Sequence, residues 1–137
     1  MLPRIVALFI LLFTLSGCSE PPYTNINNVK LKALIAEGVP LYDIRRPEEW
    51  QQTGIVKGSR LLTFIDKKGR PNSNFLPIFQ SEIKKEMPVI IICRSGNRSA
   101  VLSSHLMEKM GYTTVYNLES GINRWIKDKN PVQRHKI

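Results

Sequence analysis

A short apolar run in the second half of the chain, followed at once by a cysteine, constrains the fold more than any other feature. Residues 88–92 read Pro-Val-Ile-Ile-Ile, a length and a β-branched composition typical of a strand buried on both faces. Residues 100–110 have the pattern of a helix, and Gly111 follows them in the position of a C-terminal cap. Because further strand and helix patterns alternate along the chain, the sequence predicts an α/β domain with a mostly parallel sheet.

The other elements are predicted from the same kinds of pattern. Helices are expected at residues 29–36, 74–86 and 120–129, strands at 40–44, 60–64 and 112–116, and a short helix from Pro47. In a parallel sheet, ligands gather beyond the carboxyl ends of the strands. Cys93 follows one such end, while Asp43 and Arg45 lie at another. We expect Asp43 and Arg45 either to border a pocket there or to form an ion pair that fixes strand to loop.

The loop after the central strand, residues 93–99, combines a thiol with groups that stabilise negative charge. Backbone N–H groups in a loop ahead of a helix form a concave site that favours a thiolate and holds an anion. Gly96 permits a positive φ, and Asn97 tolerates left-handed backbone. Cys93 is therefore the candidate nucleophile, and the candidate binding residues are Arg94, Ser95, Gly96, Asn97, Arg98 and Ser99.

The side chains of this loop are expected to play different parts. Arg94 should lie at the entrance, where its charge attracts an oxyanion, whereas Arg98 should brace the loop rather than contact substrate. Ser99 either bonds to a loop amide or to the sulfur, or serves only to begin the helix. The alternative for Cys93 is an inert thiol in the core, although such a thiol needs neither Gly96 nor flanking arginines.

The first residues of the chain resemble a secretion signal. Residues 5–15 are apolar except for Thr14, and they are too few to span a bilayer, which takes about 20. Residues 15–18 read Leu-Ser-Gly-Cys and resemble a bacterial lipobox, which implies cleavage before Cys18 and its acylation. The alternatives are an ordinary signal peptide or an uncleaved anchor. The expected division is residues 1–17 as signal peptide, 18–25 as lipidated cysteine and tether, 26–130 as the domain and 131–137 as a tail.

Acylation at Cys18 would attach the protein to a membrane and leave Cys93 as the other of the two cysteines. An unpaired cysteine in an exported protein indicates a reactive thiol, since cysteines there commonly form disulfides. By resemblance to bacterial lipoproteins, Ser19 after the acylated residue favours the outer membrane. The expected location is therefore the bacterial cell envelope, lipid-anchored and facing the periplasm.

The chain is basic, with a formal net charge of +9. Nucleic acid is an improbable partner outside the cytoplasm, and no nucleic-acid motif is present. The charge indicates either a solvated surface near anionic lipid or the steering of small anionic substrates. No cluster has metal-ligand spacing, so neither a metal nor another cofactor is expected.

Several segments, in order along the chain, resemble motifs of the rhodanese family, over roughly residues 25–128. They are residues 43–50, resembling Asp-x-Arg-x-x-Glu-Glu; 54–59, resembling Gly-His-Ile-x-Gly-Ala; 93–98, the cysteine loop; and 118–125, resembling Gly-Gly-x-x-x-Trp. The sequence departs from the family at Ile55, where His is usual, and at Ser120, where the first Gly is usual. The resemblance implies a three-layer α/β/α fold with about five strands.

The same resemblance implies a sulfurtransferase in which Cys93 carries sulfur as a persulfide. The donor would be a small anion such as thiosulfate and the acceptor a thiol or cyanide, with Asp43 and Arg45 supporting the site. A non-catalytic sulfur carrier or partner-binding module is the alternative. Phosphatases and arsenate reductases of related fold have Cys-x₅-Arg loops; here Arg98 comes one position earlier, which favours sulfur.

Overall fold

The computed structural model describes residues 17–136, so most of the predicted signal peptide lies outside the described residues. Within that range, one parallel sheet has the strand order β1-β5-β4-β2-β3. The strands are β1 (Thr24–Ile26), β2 (Leu41–Asp43), β3 (Arg60–Leu61), β4 (Val89–Ile92) and β5 (Val115–Leu118). The helices are α1 (Asn28–Ala36), α2 (Pro47–Thr53), α3 (Phe75–Glu82), α4 (Asn97–Met110) and α5 (Gly121–Lys127).

Strand β4 is the centre of two hydrophobic cores because its side chains alternate between the faces of the sheet. Val89 and Ile91 pack with residues of α3 and α4, whereas Ile90 and Ile92 pack with residues of α1 and α5. All four side chains are fully buried. The result is the three-layer α/β/α architecture that the sequence predicted.

The parallel sheet places the segment around Asp43 and the cysteine loop at the same end of the sheet, beyond the carboxyl ends of the strands. Asp43 in β2 is in register with Ile92 in β4, and Cys93 follows Ile92 directly. The carboxyl ends of β2 and β4 are therefore adjacent, with the cysteine loop above them.

The observed elements differ from the predicted ones at several boundaries. The helix after the cysteine loop begins at Asn97 rather than at residue 100, because Gly96, at φ +96°, turns the chain directly into it. The strand expected at 112–116 is wrong by about three residues: β5 runs over Val115–Leu118, and Tyr112 instead packs in the core and donates to the Ile83 carbonyl. β3 is also shorter than expected.

Both ends of the described chain pack on the domain. The expected tether reaches residue 25, yet Thr24 and Asn25 belong to β1, which pairs with β5 at the edge of the sheet. At the other end, Gln133 forms an antiparallel bridge with Ile55 through two backbone hydrogen bonds of 2.8 and 2.9 Å. Across residues 17–136, no helix has the length and hydropathy needed to cross a bilayer.

Candidate active site

The Cys93 thiol lies at the carboxyl end of β4, where two groups can donate hydrogen bonds to its sulfur. The backbone N–H of Gly96 is 3.1 Å from Sγ, and the hydroxyl of Ser99 is 3.3 Å away. The Ser99 oxygen is also 3.1 Å from the Gly96 carbonyl, so its single proton is shared between two acceptors. Negative charge on the sulfur would draw that proton to Sγ.

Cys93 is only 1% exposed, as an inert core cysteine would be. It does not, however, have the purely apolar surroundings of such a cysteine, because two donors converge on it. The loop residues Arg94 and Ser95 immediately after it are exposed, as is Asn97. The sulfur is therefore buried beneath a loop whose residues Arg94, Ser95 and Asn97 reach the protein surface.

The first turn of α5 determines which way the cysteine loop faces. The N–H of Ile122 donates to the Cys93 carbonyl at 2.9 Å, and the N–H of Asn123 donates to the Arg94 carbonyl at 3.0 Å. Because these carbonyls point toward α5, the N–H groups of the same peptide bonds point toward the opposite side of the loop. Gly121, at φ +58°, permits this contact because a Cβ there would overlap the Arg94 backbone.

Gly96 allows a second close approach, to the chain after β5. A Cβ at this position would overlap the Glu119 carbonyl, and the positive φ would strain any larger residue. Glycine is thus required on both sides of the contact between the loop and the β5–α5 connection.

Arg98 lies against Glu49 of α2. Its two terminal nitrogens are 2.8 and 2.6 Å from the two carboxylate oxygens, a bidentate pair that is mostly buried. Burial by itself would raise the pKa of Glu49, but the hydrogen bonds from Arg98 and from the Arg46 N–H outweigh it and hold that pKa at about 2. The hydrogen bond to Glu49 likewise raises the pKa of Arg98. Arg98 is in the bracing position.

Asp43 and Arg45 form a fully buried ion pair. Arg45 donates to both carboxylate oxygens, at 2.7 to 3.2 Å, and its other hydrogen bonds reach the Glu49 carbonyl, the Thr53 hydroxyl and the Gly54 carbonyl. Neither side chain reaches solvent, so the pair fastens β2 to α2 rather than bordering an open pocket. It supports the site through α2, which carries Glu49.

Glu49 and Gly121 are the structural residues of the site that the sequence did not single out. Glu49 stands within the motif at 43–50, but its partner is 49 positions away. Within residues 17–136, no three His, Cys, Asp or Glu side chains are grouped as a metal site requires.

Comparison with known proteins identifies the family of this chain. A family model described as a rhodanese-like domain matches residues 27–128. A sulfurtransferase of Allochromatium vinosum is 38% identical over 96 residues, covering 70% of this chain and 79% of that protein. The thiosulfate sulfurtransferase GlpE of Pseudoalteromonas translucida is 33% identical over 95 residues, covering 69% and 80%.

Solved structures give the same result for the fold. The polysulfide-sulfur transferase homodimer of Wolinella succinogenes superposes with a TM-score of 0.66 at 22% identity, covering 84% of this chain and 81% of that one. The fold is that of a rhodanese-like domain. The chain belongs to the rhodanese-like family, as its motifs predicted, and the two relatives are named as sulfurtransferases.

The two departures from the family motifs have local explanations. Ser120 adopts φ −102°, which any residue can take, whereas the left-handed position falls on Gly121. Ile55 is 8% exposed and pairs with Gln133 of the C-terminal segment. Neither residue is among the groups that contact the sulfur.

Proposed function

We propose that this protein transfers a sulfane sulfur from thiosulfate or a related donor to a thiophilic acceptor through a Cys93 persulfide. The observation that carries the proposal is the pair of donors on the Cys93 sulfur, the Gly96 N–H and the Ser99 hydroxyl. Donors fixed in place before reaction stabilise developing negative charge without having to reorganise. The names of the two relatives support the same class of reaction.

In the first half-reaction, the Cys93 thiolate attacks the outer sulfur of thiosulfate. A new S–S bond forms to Cys93 while the original S–S bond breaks, and sulfite leaves with the electron pair of that bond. The persulfide keeps one negative charge on its terminal sulfur, where the loop N–H groups and the amino end of α4 stabilise it. In the second half-reaction, a thiol or cyanide attacks the terminal sulfur and regenerates the thiolate.

Arg94 is the loop cation available to the donor. Its side chain is exposed at the mouth of the loop, whereas the guanidinium of Arg98 is occupied by Glu49. An exposed cation beside a buried nucleophile attracts a dianion such as thiosulfate. The engagement of Arg98 also argues against phosphate-ester hydrolysis, for which the arginine that ends the loop would have to be free to bind the phosphate.

The burial of Cys93 favours one alternative, a sulfur carrier that serves a protein acceptor. A thiol that is 1% exposed passes sulfur readily only to an acceptor that can open or enter the loop. Such a protein would take up one sulfur atom from thiosulfate and release it slowly to small molecules.

Incubation of residues 19–137 with thiosulfate, followed by intact mass measurement and a thiocyanate assay with cyanide, tests the proposal. We expect a gain of one sulfur atom on Cys93 and catalytic formation of thiocyanate. The variant Cys93→Ser should fold and show neither, while Ser81→Ala, a change at an exposed serine of α3 outside the loop, should retain both. Full activity of Cys93→Ser would refute the mechanism; sulfur uptake without turnover would support the carrier. Hydrolysis of a phosphate ester would indicate the phosphatase alternative.

The proposal includes attachment to the bacterial envelope through acylated Cys18, facing the periplasm and at the outer membrane. Cys18 is exposed, a few residues before β1, and so is accessible to modification. When the full chain is produced in bacteria with labelled palmitate, label should enter the protein and be lost in Cys18→Ala, with Cys93→Ala as the labelled control. Separation of the two membranes then tests the location. Labelling that survives Cys18→Ala would exclude this anchor.

A further inference from the structure

An open groove of about 650 Å³ lies between α1, α5 and the C-terminal segment, on the face of the sheet opposite α4. Its walls are largely apolar and its rim is basic. The apolar part includes Ile35, Val56, Trp125 and Val132, and the basic part includes Lys32 and Lys57. The Lys32 ammonium lies 5.6 Å from the centre of the Trp125 ring, over the groove.

The surface around this groove concentrates the positive charge of the domain. We call residues 28–37, 57 and 121–133 the α1–α5 face. It carries six Lys and Arg residues against two acidic residues, Glu37 and Asp128, and Asp128 is paired with Arg124. By contrast, residues 75–86 and 97–110, which contain α3 and α4, carry four basic and three acidic residues. The net charges of these two surfaces are therefore +4 and +1.

Exposed aliphatic side chains are concentrated on the same face. Val29 is 77% exposed, Val132 is 40% exposed and Ile126 is 39% exposed. These are three of the five large hydrophobic residues that the structure, over residues 17–136, leaves open to solvent; the others are Ile78 and Val101. Basic side chains interspersed with exposed aliphatic ones are the composition of a membrane-surface contact.

The groove also lies away from the cysteine loop. Ile35 is at the end of α1, shortly before β2 begins, and Lys57 shortly precedes β3. These positions are near the amino ends of the strands, whereas Cys93 is at a carboxyl end. A flat surface bound at the groove would therefore lie at the opposite end of the strands from Cys93.

We infer that the α1–α5 face binds the surface of a membrane rich in anionic phospholipid. The lysines and arginines contact headgroup phosphates, and the groove and the exposed aliphatic side chains enter the headgroup–acyl boundary. Charge spread over two helices and the segments next to them fits a lipid surface better than a single acidic peptide. The inference extends the proposed attachment at Cys18, because a lipid anchor and a basic face reinforce each other.

Residues 19–137, which lack Cys18 but contain every described strand and helix, isolate the contribution of the face. We expect this fragment to sediment with vesicles of equimolar phosphatidylglycerol and phosphatidylcholine, to stay in solution with pure phosphatidylcholine, and to be released at about 0.5 M salt. Reversing three charges in Lys32→Glu/Lys57→Glu/Lys127→Glu should lower the partition coefficient at least about tenfold. The matched control is Lys84→Glu/Lys85→Glu/Lys109→Glu, with the same charge change beside α3 and on α4.

Absence of binding to anionic vesicles, or equal losses in the two triple variants, would overturn the inference. Binding of an acidic protein from the envelope, with no vesicle binding, would overturn it in favour of a protein partner. Because the charge changes lie far from Cys93, both triple variants should still take up sulfur from thiosulfate. A failed vesicle experiment with normal sulfur uptake therefore leaves the proposed reaction standing, and failed palmitate labelling does not affect the vesicle result.

Discussion

At the scale of single residues, the environment of the Cys93 sulfur is set by Gly96 and Ser99. Gly96 places its own N–H 3.1 Å from the sulfur, and its φ of +96° then turns the chain into α4. Ser99, fully buried in the first turn of α4, brings a hydroxyl. Both residues supply a hydrogen-bond donor to the sulfur, and neither is the nucleophile.

The variant Ser99→Ala should therefore slow persulfide formation from thiosulfate. Losing one hydrogen bond to a developing charge costs about 1.5–3 kcal/mol, so we expect a rate lower by about tenfold or more. The rate is obtained by quenching the reaction at set times and measuring the intact mass of the protein, and thermal unfolding gives the stability. Ser81→Ala, at an exposed position in α3, serves as the control. An unchanged rate together with lower stability would reduce Ser99 to a helix-start residue.

At the scale of elements, the cysteine loop is held from two sides. The first turn of α5 binds the carbonyls of Cys93 and Arg94, and α2 binds Arg98 through Glu49. Neither helix supplies a group that contacts the sulfur. Each contributes the rigidity that keeps the donors in place.

The variant Gly121→Ala should disturb the cysteine loop without changing any residue that contacts the Cys93 sulfur. A Cβ at this position would overlap the Arg94 backbone, and φ +58° is disfavoured for alanine. We expect sulfur uptake to fall by an order of magnitude or more, and stability to fall by at least about 1 kcal/mol. The neighbour Ser120→Ala, at an ordinary backbone conformation, is the matched control and should behave like the parent in both assays. Equal activity of the two variants would contradict the role given to α5.

The Glu49–Arg98 pair makes a pH-dependent contribution to stability. The pKa of Glu49 is about 2 in the folded protein and 4.5 ordinarily, so its stabilisation is complete above about pH 4.5 and is lost as the pH falls toward 2. Glu49→Gln should lower the free energy of unfolding by about 2 kcal/mol at neutral pH, with a difference from the parent that shrinks below about pH 4.5. Urea unfolding across this range measures it.

The control for that series is Glu37→Gln, which removes an exposed carboxylate at the end of α1. It should track the parent at every pH. A difference between Glu49→Gln and the parent that is constant with pH would contradict the ion-pair explanation.

At the scale of the whole molecule, the parallel sheet places the cysteine loop at the carboxyl ends of its strands. The C-terminal segment packs against α2 and the residues that follow it. The Trp125 indole donates to the Pro131 carbonyl, Gln133 pairs with Ile55, and His135 packs edge-on against Trp50. These contacts join α5 to α2, the two helices that hold the loop. The segment expected to be a tail therefore connects both supports of the site.

Ending the chain after Asn130 should accordingly lower the free energy of unfolding by about 2 kcal/mol, because two backbone hydrogen bonds and the contact of His135 with Trp50 are lost. Urea unfolding of the shortened and complete domains measures the change. The variant Gln133→Ala keeps the backbone pairing and should lie close to the parent. A shortened chain as stable as the complete one would show that residues 131–137 are an unattached tail.

The sequence by itself determined β4, the cysteine loop, the helix after it and the family, because each is written in a short contiguous pattern. It could not determine β1, since Thr24 and Asn25 are polar and exposed, and three residues carry no readable periodicity. Only the tertiary structure joined Glu49 to Arg98, Gly121 to Arg94 and Ile55 to Gln133. The physical reason is that each pairing depends on chain segments brought together by packing across the sheet, and no local pattern encodes which distant segment will arrive.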